Sequence, residues 1–317
     1  MKKILKTLVF CGIAAFSPFV LADQKPVTIG ILVPIALPAM TQIVNGFEET
    51  MTRESKTPVH FLVKNAEGDA NIQRSILQTF NESDINLVAP IGTDATQMTI
   101  AMIRNKPIVA IAADDVKQNA AKANNFNVTG VNSHTPPAER LRFLHAAMPG
   151  LKKITIVYST SSRIFDQVQQ MISAAKTAHM SVQKLMVSQL SDLYSISKNI
   201  APDSQAIFIL KDELIVSGLN TLLQQSQLKN IPVIASDDGS VATGAAFALG
   251  VSEKQTGVDA AKIALQILNG KEARNIPIYM MKNYHVFLNP AACKAQQVNV
   301  NDVKNAAKKL GYSIDIL

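Results

Sequence analysis

Tryptophan is missing altogether from the 317 residues, cysteine occurs twice, and charged residues make up only 17%, against about a quarter in a typical soluble chain. Each shortage excludes something. Two cysteines, Cys11 and Cys293, cannot build a disulfide-dense scaffold or a thiolate metal centre. The chain has no Gly-x-Ser-x-Gly elbow, no phosphate loop ending in Gly-Lys-Ser/Thr, no Gly-x-Gly-x-x-Gly and no His-Glu-x-x-His, so none of the common nucleophilic, nucleotide or zinc-protease signatures is available. The histidines, His60, His134, His145, His179 and His285, are scattered. No metal-ligand spacing emerges, and neither a cofactor nor a metal is expected. After the first 22 residues no apolar run reaches the 18 or so needed to cross a membrane.

What is present begins with a basic start. Lys2, Lys3 and Lys6 precede the apolar stretch Leu8 to Ala15, a Ser17-Pro18 break and Val20-Leu21-Ala22. This order is that of a secretory signal peptide, with cleavage expected after Ala22 and export of the remainder. A lipoprotein reading on Cys11 is disfavoured because Phe10 stands before it and the apolar segment would be very short. The formal charge of +7 drops to +4 once those three lysines are removed, which gives no reason to expect nucleic acid as a partner. Cys293 is then alone and reads as a small buried hydrophobe.

From Val27 onward the apolar pattern alternates between two periods. Val27–Val33, Val59–Val63, Leu87–Pro90 and Ile108–Ile111 are Val/Ile-rich runs of the kind found in parallel strands buried on both faces. Between them Met40, Ile43, Val44, Phe47 and Met51 share one helical face, as do Ile72, Ile76, Leu77 and Phe80, and as do Ala95, Met98, Met102 and Ile103. Asp69 stands where it would cap the second of these helices. The rhythm restarts after Val131: a helix carrying Leu141, Leu144 and Met148, then strand Ile154–Tyr158, helix Ile164–Ala178, strand Val182–Val187, helix Leu193–Ile200, strand Ala206–Leu210, helix Leu214–Leu223 and strand Pro232–Ala235. Ala246–Val251, Ile276–Met281 and Tyr284–Leu288 read as further strands, Lys254–Leu268 and the segment near Asp302–Leu310 as helices. The expectation is an α/β protein of two Rossmann-like lobes, each a parallel sheet covered by helices, joined by a hinge of several strands. The lobes are expected at 23–131 plus about 242–275, and at 132–241 plus about 276–317.

In open α/β sheets ligands bind beyond the carboxyl ends of the strands. Those ends are Pro34–Ala39, Ile91–Ala95 and Ala112–Val116 in one lobe, and Ser159–Arg163, Lys211–Glu213 and Ser236–Ser240 in the other. They carry Asp94, Asp114, Asp115, Asp212, Glu213, Asp237 and Asp238 against only Arg163 and Lys211, an acidic rim. Such a rim would repel phosphate or sulfate and suits a ligand with an ammonium group. The hydroxyls of Ser159-Thr160-Ser161-Ser162, at the start of a helix, offer a seat for a carboxylate. An ammonium and a carboxylate together make an amino acid. Sugars, which favour flat aromatic walls, fit a tryptophan-free chain less well.

Asn127-Val-Thr-Gly-Val131, Ile231-Pro-Val-Ile-Ala-Ser-Asp-Asp-Gly-Ser-Val241 and Ala248-Leu-Gly-Val251 resemble the tryptophan-type family of ABC transporter substrate-binding proteins. Asn65-Ala-Glu-Gly-Asp69, Pro149-Gly-Leu-Lys-Lys-Ile154 with the Tyr158-Ser-Thr-Ser-Ser162 loop, and Ile267-Leu-Asn-Gly-Lys271 extend the likeness over Val27 to Ala292. The resemblance implies a type I periplasmic-binding-protein fold whose lobes close on a small ligand, often an amino acid. It implies a periplasmic, non-enzymatic, monomeric protein that delivers its ligand to an ABC permease in the inner membrane. A secreted sensor that signals to a receptor is the alternative. By position it places Thr93, Ser159, Ser161, Ser162, Asp212 and Asp237 at the ligand. Pro34, Asp94 and Asp114, in the strand-end loops of the first lobe, complete the expected site. The loop Ile35-Ala-Leu-Pro-Ala39 departs from the polar Glu-His pair common before the proline in relatives.

Overall fold

The computed structural model describes residues 25–317. The expected signal segment, its cleavage site after Ala22 and Cys11 lie outside the described residues. Strands β1 (Val27–Val33), β2 (Val59–Asn65), β3 (Leu87–Pro90), β4 (Ile108–Ile111) and β5 (Val128–Asn132) alternate with helices, as the two periods predict. In the second half come β6 (Lys153–Ser159), β7 (Ser181–Val187), β8 (Ala206–Phe208), β9 (Val233–Ala235), β10 (Phe247–Gly250), β11 (Tyr279–Met280), β12 (His285–Leu288) and β13 (Ser313–Ile316). They form two sheets. The first has the order β11-β5-β4-β3-β1-β2 and the second β13-β12-β10-β9-β8-β6-β7. All neighbours run parallel except β12, which is antiparallel to β10.

Each sheet is covered on both faces. One face of the first packs Ile29, Ile31, Phe47 and Ala261, the other Leu32, Leu77, Phe80 and Ile108. The second sheet has its own pair of layers, around Ile154, Phe208 and Phe247 on one side and Val157, Ile207 and Leu222 on the other. The central strands β3, β4, β8 and β9 are buried at every position. This is why they read as continuous apolar runs instead of alternating ones. Asp69 caps the helix Ala70–Glu82, its Oδ1 accepting from Asn71 N–H at 2.6 Å and Ile72 N–H at 3.1 Å.

Sheet membership shifts the lobe boundaries. β10, expected in the first lobe within the segment from about 242 to 275, pairs with β9 and β12 in the second sheet. β11, expected in the second lobe, pairs with β5 in the first. The chain thus crosses between sheets after β5, after β10 and after β11, three hinge segments in all among the described residues. Local apolar runs cannot reveal which sheet a strand joins, because both sheets demand the same side chains. Two expected elements are also interrupted. The helix over Leu214–Leu223 is two helices, Glu213–Ser217 and Leu219–Lys229, broken at Gly218, where an added Cβ would lie 2.3 Å from Leu193. The strand over Ile276–Met281 shrinks to two paired residues, and β13 was not anticipated.

Within the first lobe the helices Pro38–Glu54 and Glu253–Leu268 touch at backbone distance. A Cβ on Gly257 would sit 2.0 Å from the Ile43 carbonyl oxygen, and one on Gly46 2.2 Å from that of Lys254. This contact ties the start of the first helix, and its residues Met40 and Ile43, to the start of the later one and Glu253.

Candidate functional site

A cavity with about 810 Å³ of empty space, its mouth included, opens between the carboxyl ends of the two sheets. The loops after β1, β3, β4 and β5 bring Leu37 and Met40, Ile91 and Thr93, Asp114, and His134. Those after β8 and β9 bring Lys211 to Glu213 and Asp237. This is where side chains converge without being spent on packing within either sheet.

The apolar lining is Leu37, Met40, Ile43 and Ile91 from the first lobe and Val216 from the second. The other groups are charged. Among the described residues the lining includes the carboxylates Asp114, Asp212, Glu213, Asp237 and Glu253 and the cations Arg140, Arg163 and Lys211. The acidic excess expected from the loops is therefore real at the cavity but smaller than the sequence suggested. Asp115 and Asp94 face a neighbouring polar groove, and the helix Pro137–Ala147 adds a cation that the loops do not contain.

That cation is Arg140. It is 6% exposed, lines the cavity, and its buried Nε has no hydrogen-bond partner among the described residues. Burial draws its pKa down to about 10, opposed by the charges of Asp237, Asp114 and Tyr284. A guanidinium in this state is a fixed donor fork awaiting an acceptor. Sequence reasoning missed it because Glu139-Arg140 reads as a solvated pair at a helix start. The available signal was spacing: Arg140 lies four residues before Leu144 and seven before Ala147, all three on the buried face.

The expected site residues divide. Thr93, Asp114, Asp212 and Asp237 line the cavity. Thr93 Oγ1 accepts from the Asp114 backbone N–H at 3.0 Å, joining two loops and leaving its hydroxyl proton to donate. Asp114 Oδ2 accepts from Gln167 Nε2 at 3.3 Å, a bond from the first lobe to the second, and lies 3.9 Å from His134 Nδ1. Burial lowers the His134 pKa against the opposing pull of Asp114. Asp237 caps the helix Asp238–Thr243, accepting from Ser240 N–H at 2.8 Å and Ser240 Oγ at 2.9 Å, while its charge acts on Arg140. Asp212 is mostly occupied: it takes the Ser159 N–H at 2.6 Å and the Leu214 N–H at 3.2 Å. Burial raises its pKa, and the bonds from Ser159 and the Ile215 N–H, with the charge of Arg163, restrain the rise.

The remaining expected residues lie elsewhere. Ser159 and Ser161 line a separate groove beside Thr160 and Asp94, bordering the cavity through Arg163, Asp212 and Glu213. Ser162 and Asp94 line the polar groove, which adjoins the cavity through Thr93, Asp114, His134, Arg163 and Gln167. Pro34 lines neither the cavity nor these grooves; its carbonyl accepts from Gly68 N–H at 2.8 Å and shapes the loop that presents Leu37 and Met40. The serine loop expected to seat a carboxylate thus lines the adjoining groove, and Arg140 is a further group suited to that role within the cavity itself.

A sequence model of the family described as ABC transporter substrate binding protein matches residues 28–309. An uncharacterised protein of Rickettsia prowazekii is 38% identical over 280 residues, covering 88% of each chain. The tyrosine-binding protein of Clostridioides difficile is 24% identical over 295 residues, covering 89% of this chain and 85% of that one. Among solved structures, an ABC domain from Streptococcus pneumoniae in complex with L-Trp superposes with a TM-score of 0.80 at 22% identity, covering 92% of this chain and all of the other. A conserved domain protein from Vibrio cholerae gives 0.81 at 21% identity, with the same coverage.

Proposed function

Because the chain belongs to the family of ABC transporter substrate-binding proteins, we propose that it captures a small zwitterionic ligand, an amino acid with a largely apolar side chain, and delivers it to an ABC importer. The observation that carries this reading is the buried Arg140 guanidinium, without a partner of its own, facing the same cavity as Asp237 and Asp114. An α-carboxylate would answer the guanidinium, an α-ammonium the two acids. Leu37, Met40, Ile43, Ile91 and Val216 would take the side chain. The named ligands of two relatives, tyrosine and L-Trp, support the amino-acid class and an aromatic member of it.

The protein acts by binding, without catalysis. The ligand touches both lobes, so its differential affinity for the closed arrangement shifts the hinge equilibrium toward closure. The closed monomer docks on a permease of the inner membrane. Residues 1–22 direct it to the periplasm and are removed there.

The test is a thermal-shift and calorimetric screen of the protein without residues 1–22. The screen covers the twenty L-amino acids, simple amines, monosaccharides, phosphate and sulfate. At a hundred times Kd a specific ligand adds about 2.7 kcal/mol of stability. Apolar and aromatic L-amino acids are expected to stabilise the protein. Stabilisation by sugars or oxyanions alone overturns the reading.

A further inference from the structure

Lys211 leaves the end of β8 in the second lobe, and Glu253 begins the helix Glu253–Leu268 in the first. Their side chains form an ion pair across the cleft. Glu253 is 1% exposed, the Lys211 Nζ is buried, and both residues line the cavity. Two further acids of the second lobe adjoin the pair. Asp237 and Asp238 both act on Lys211, and Asp238 Oδ2 accepts from the Glu253 backbone N–H at 3.3 Å.

The three cations of the cavity are consequently unequal. Lys211 is held by Glu253. Arg163 donates through Nη2 to the Lys211 carbonyl oxygen at 3.3 Å, its buried Nε without a partner among the described residues, and stands near Asp212 and Glu213, restraining the rise that burial causes in their pKa. Arg140 alone among them has a guanidinium with no hydrogen-bond partner among the described residues. A buried cation freed from its acid would need another anion, and the nearest source would be the ligand. A second ligand carboxylate entering the present cavity would instead meet Asp114, Asp237 and Glu213, with Lys211 already held by Glu253.

Resting on the amino-acid reading above, we propose that Glu253 is a specificity-determining residue. By engaging Lys211 as the lobes meet, it leaves Arg140 as the one cavity cation with neither a hydrogen bond nor an ion pair among the described residues, so the site takes ligands with one carboxylate and rejects those with two. The selection is built from both lobes and is exerted only in the closed arrangement, the state in which the ligand is held.

Isothermal titration of the wild type, E253Q and the double variant K211M/E253Q with L-phenylalanine and L-glutamate tests this. The wild type is expected to prefer phenylalanine by at least a hundredfold. E253Q should narrow that preference at least tenfold through tighter glutamate binding, and K211M/E253Q should lose the gain. E253A carries the same expectation if circular dichroism finds E253Q unfolded. If the wild type binds phenylalanine and neither Glu253 variant gains affinity for glutamate, the assignment to Glu253 falls while the amino-acid reading stands. If the wild type binds neither probe nor any other amino acid, both fall.

Discussion

The two lobes meet the cavity with different chemistry. The first contributes Leu37, Ala39, Met40, Ile43, Ile91 and Ala112, with Thr93, Asp114 and Glu253 as its polar members. The second contributes all three cations, Arg140, Arg163 and Lys211, together with Asp212, Glu213, Asp237 and Gln167, and a single apolar side chain, Val216. Helices of the first lobe reach the cavity through a tight backbone contact that leaves apolar side chains free to face inward. Loops of the second lobe reach it with capping residues whose charges are already oriented by hydrogen bonds to helix starts. For the proposed amino-acid ligand the contrast would divide the work: the second lobe, with Asp114 of the first, would hold the charged head, and the first lobe would supply most of the apolar surface for the side chain. A ligand so divided cannot be satisfied by either lobe alone, which is the thermodynamic requirement for closure.

The largest expected effect comes from disturbing the first lobe's share at its support. Gly257→Val would force a branched side chain into a space where even a Cβ lies 2.0 Å from the Ile43 carbonyl oxygen and 2.8 Å from the Phe47 backbone nitrogen. Neither backbone atom can yield without separating the helices. The expected loss is about 3 kcal/mol or more of folding stability, measured as a lowered urea midpoint. A midpoint within error of wild type would mean that the two helices do not meet at this contact.

The second lobe's share is tested by comparing two of its residues. Arg140→Met is expected to raise the Kd for an amino-acid ligand by about a hundredfold, since a charge-assisted bond to a carboxylate contributes about 1.5–3 kcal/mol. Its folding stability should be held, because the guanidinium makes no hydrogen bond within the protein that would be lost. Ser161→Ala should change affinity by less than twofold, as Ser161 lines the separate groove. The reverse ranking, by calorimetry on both variants, would return the carboxylate seat to the serine loop and erase the division between lobes.

How far the sequence foretells this architecture depends on the kind of information each feature needs. β1, β3 and β4 were legible because burial on both faces fills them mostly with Val, Ile, Leu and Ala. The Asp69 cap was legible because a cap is local. The lobe exchange of β10 and β11 was not, since pairing partners lie far along the chain. Gly218 splits a helix through Leu193, again a contact between distant positions. At the site, Thr93, Asp114, Asp212 and Asp237 were reachable from the rule about strand ends. Arg140 escaped that rule because it projects from the inner face of a helix. The family resemblance carried Ser159, Ser161 and Ser162 as a loop, and that loop lines grooves that adjoin the cavity through Arg163.

The smallest expected effect sits at the seam where the lobes touch. Asp238 belongs to the second lobe, yet it accepts the Glu253 N–H of the first. It is 3% exposed, and burial, reinforced by Glu253, pushes its pKa from 3.8 up to about 7. The unfolded chain releases this proton near pH 4, whereas the folded protein keeps it until about pH 7. Between those limits the folded state binds more protons, so stability falls as pH rises and levels off above the folded pKa. Asp238→Asn retains an oxygen that can accept from Glu253 and removes the ionisation. Lys211 shares the local charge and will offset part of the linkage, leaving an expected gain of about 1 kcal/mol at pH 8 with little change at pH 4. Melting curves of both proteins across that range read the difference directly. Parallel curves would show that Asp238 ionises as freely in the folded protein as in the unfolded chain, and that the seam is wetter than its burial implies.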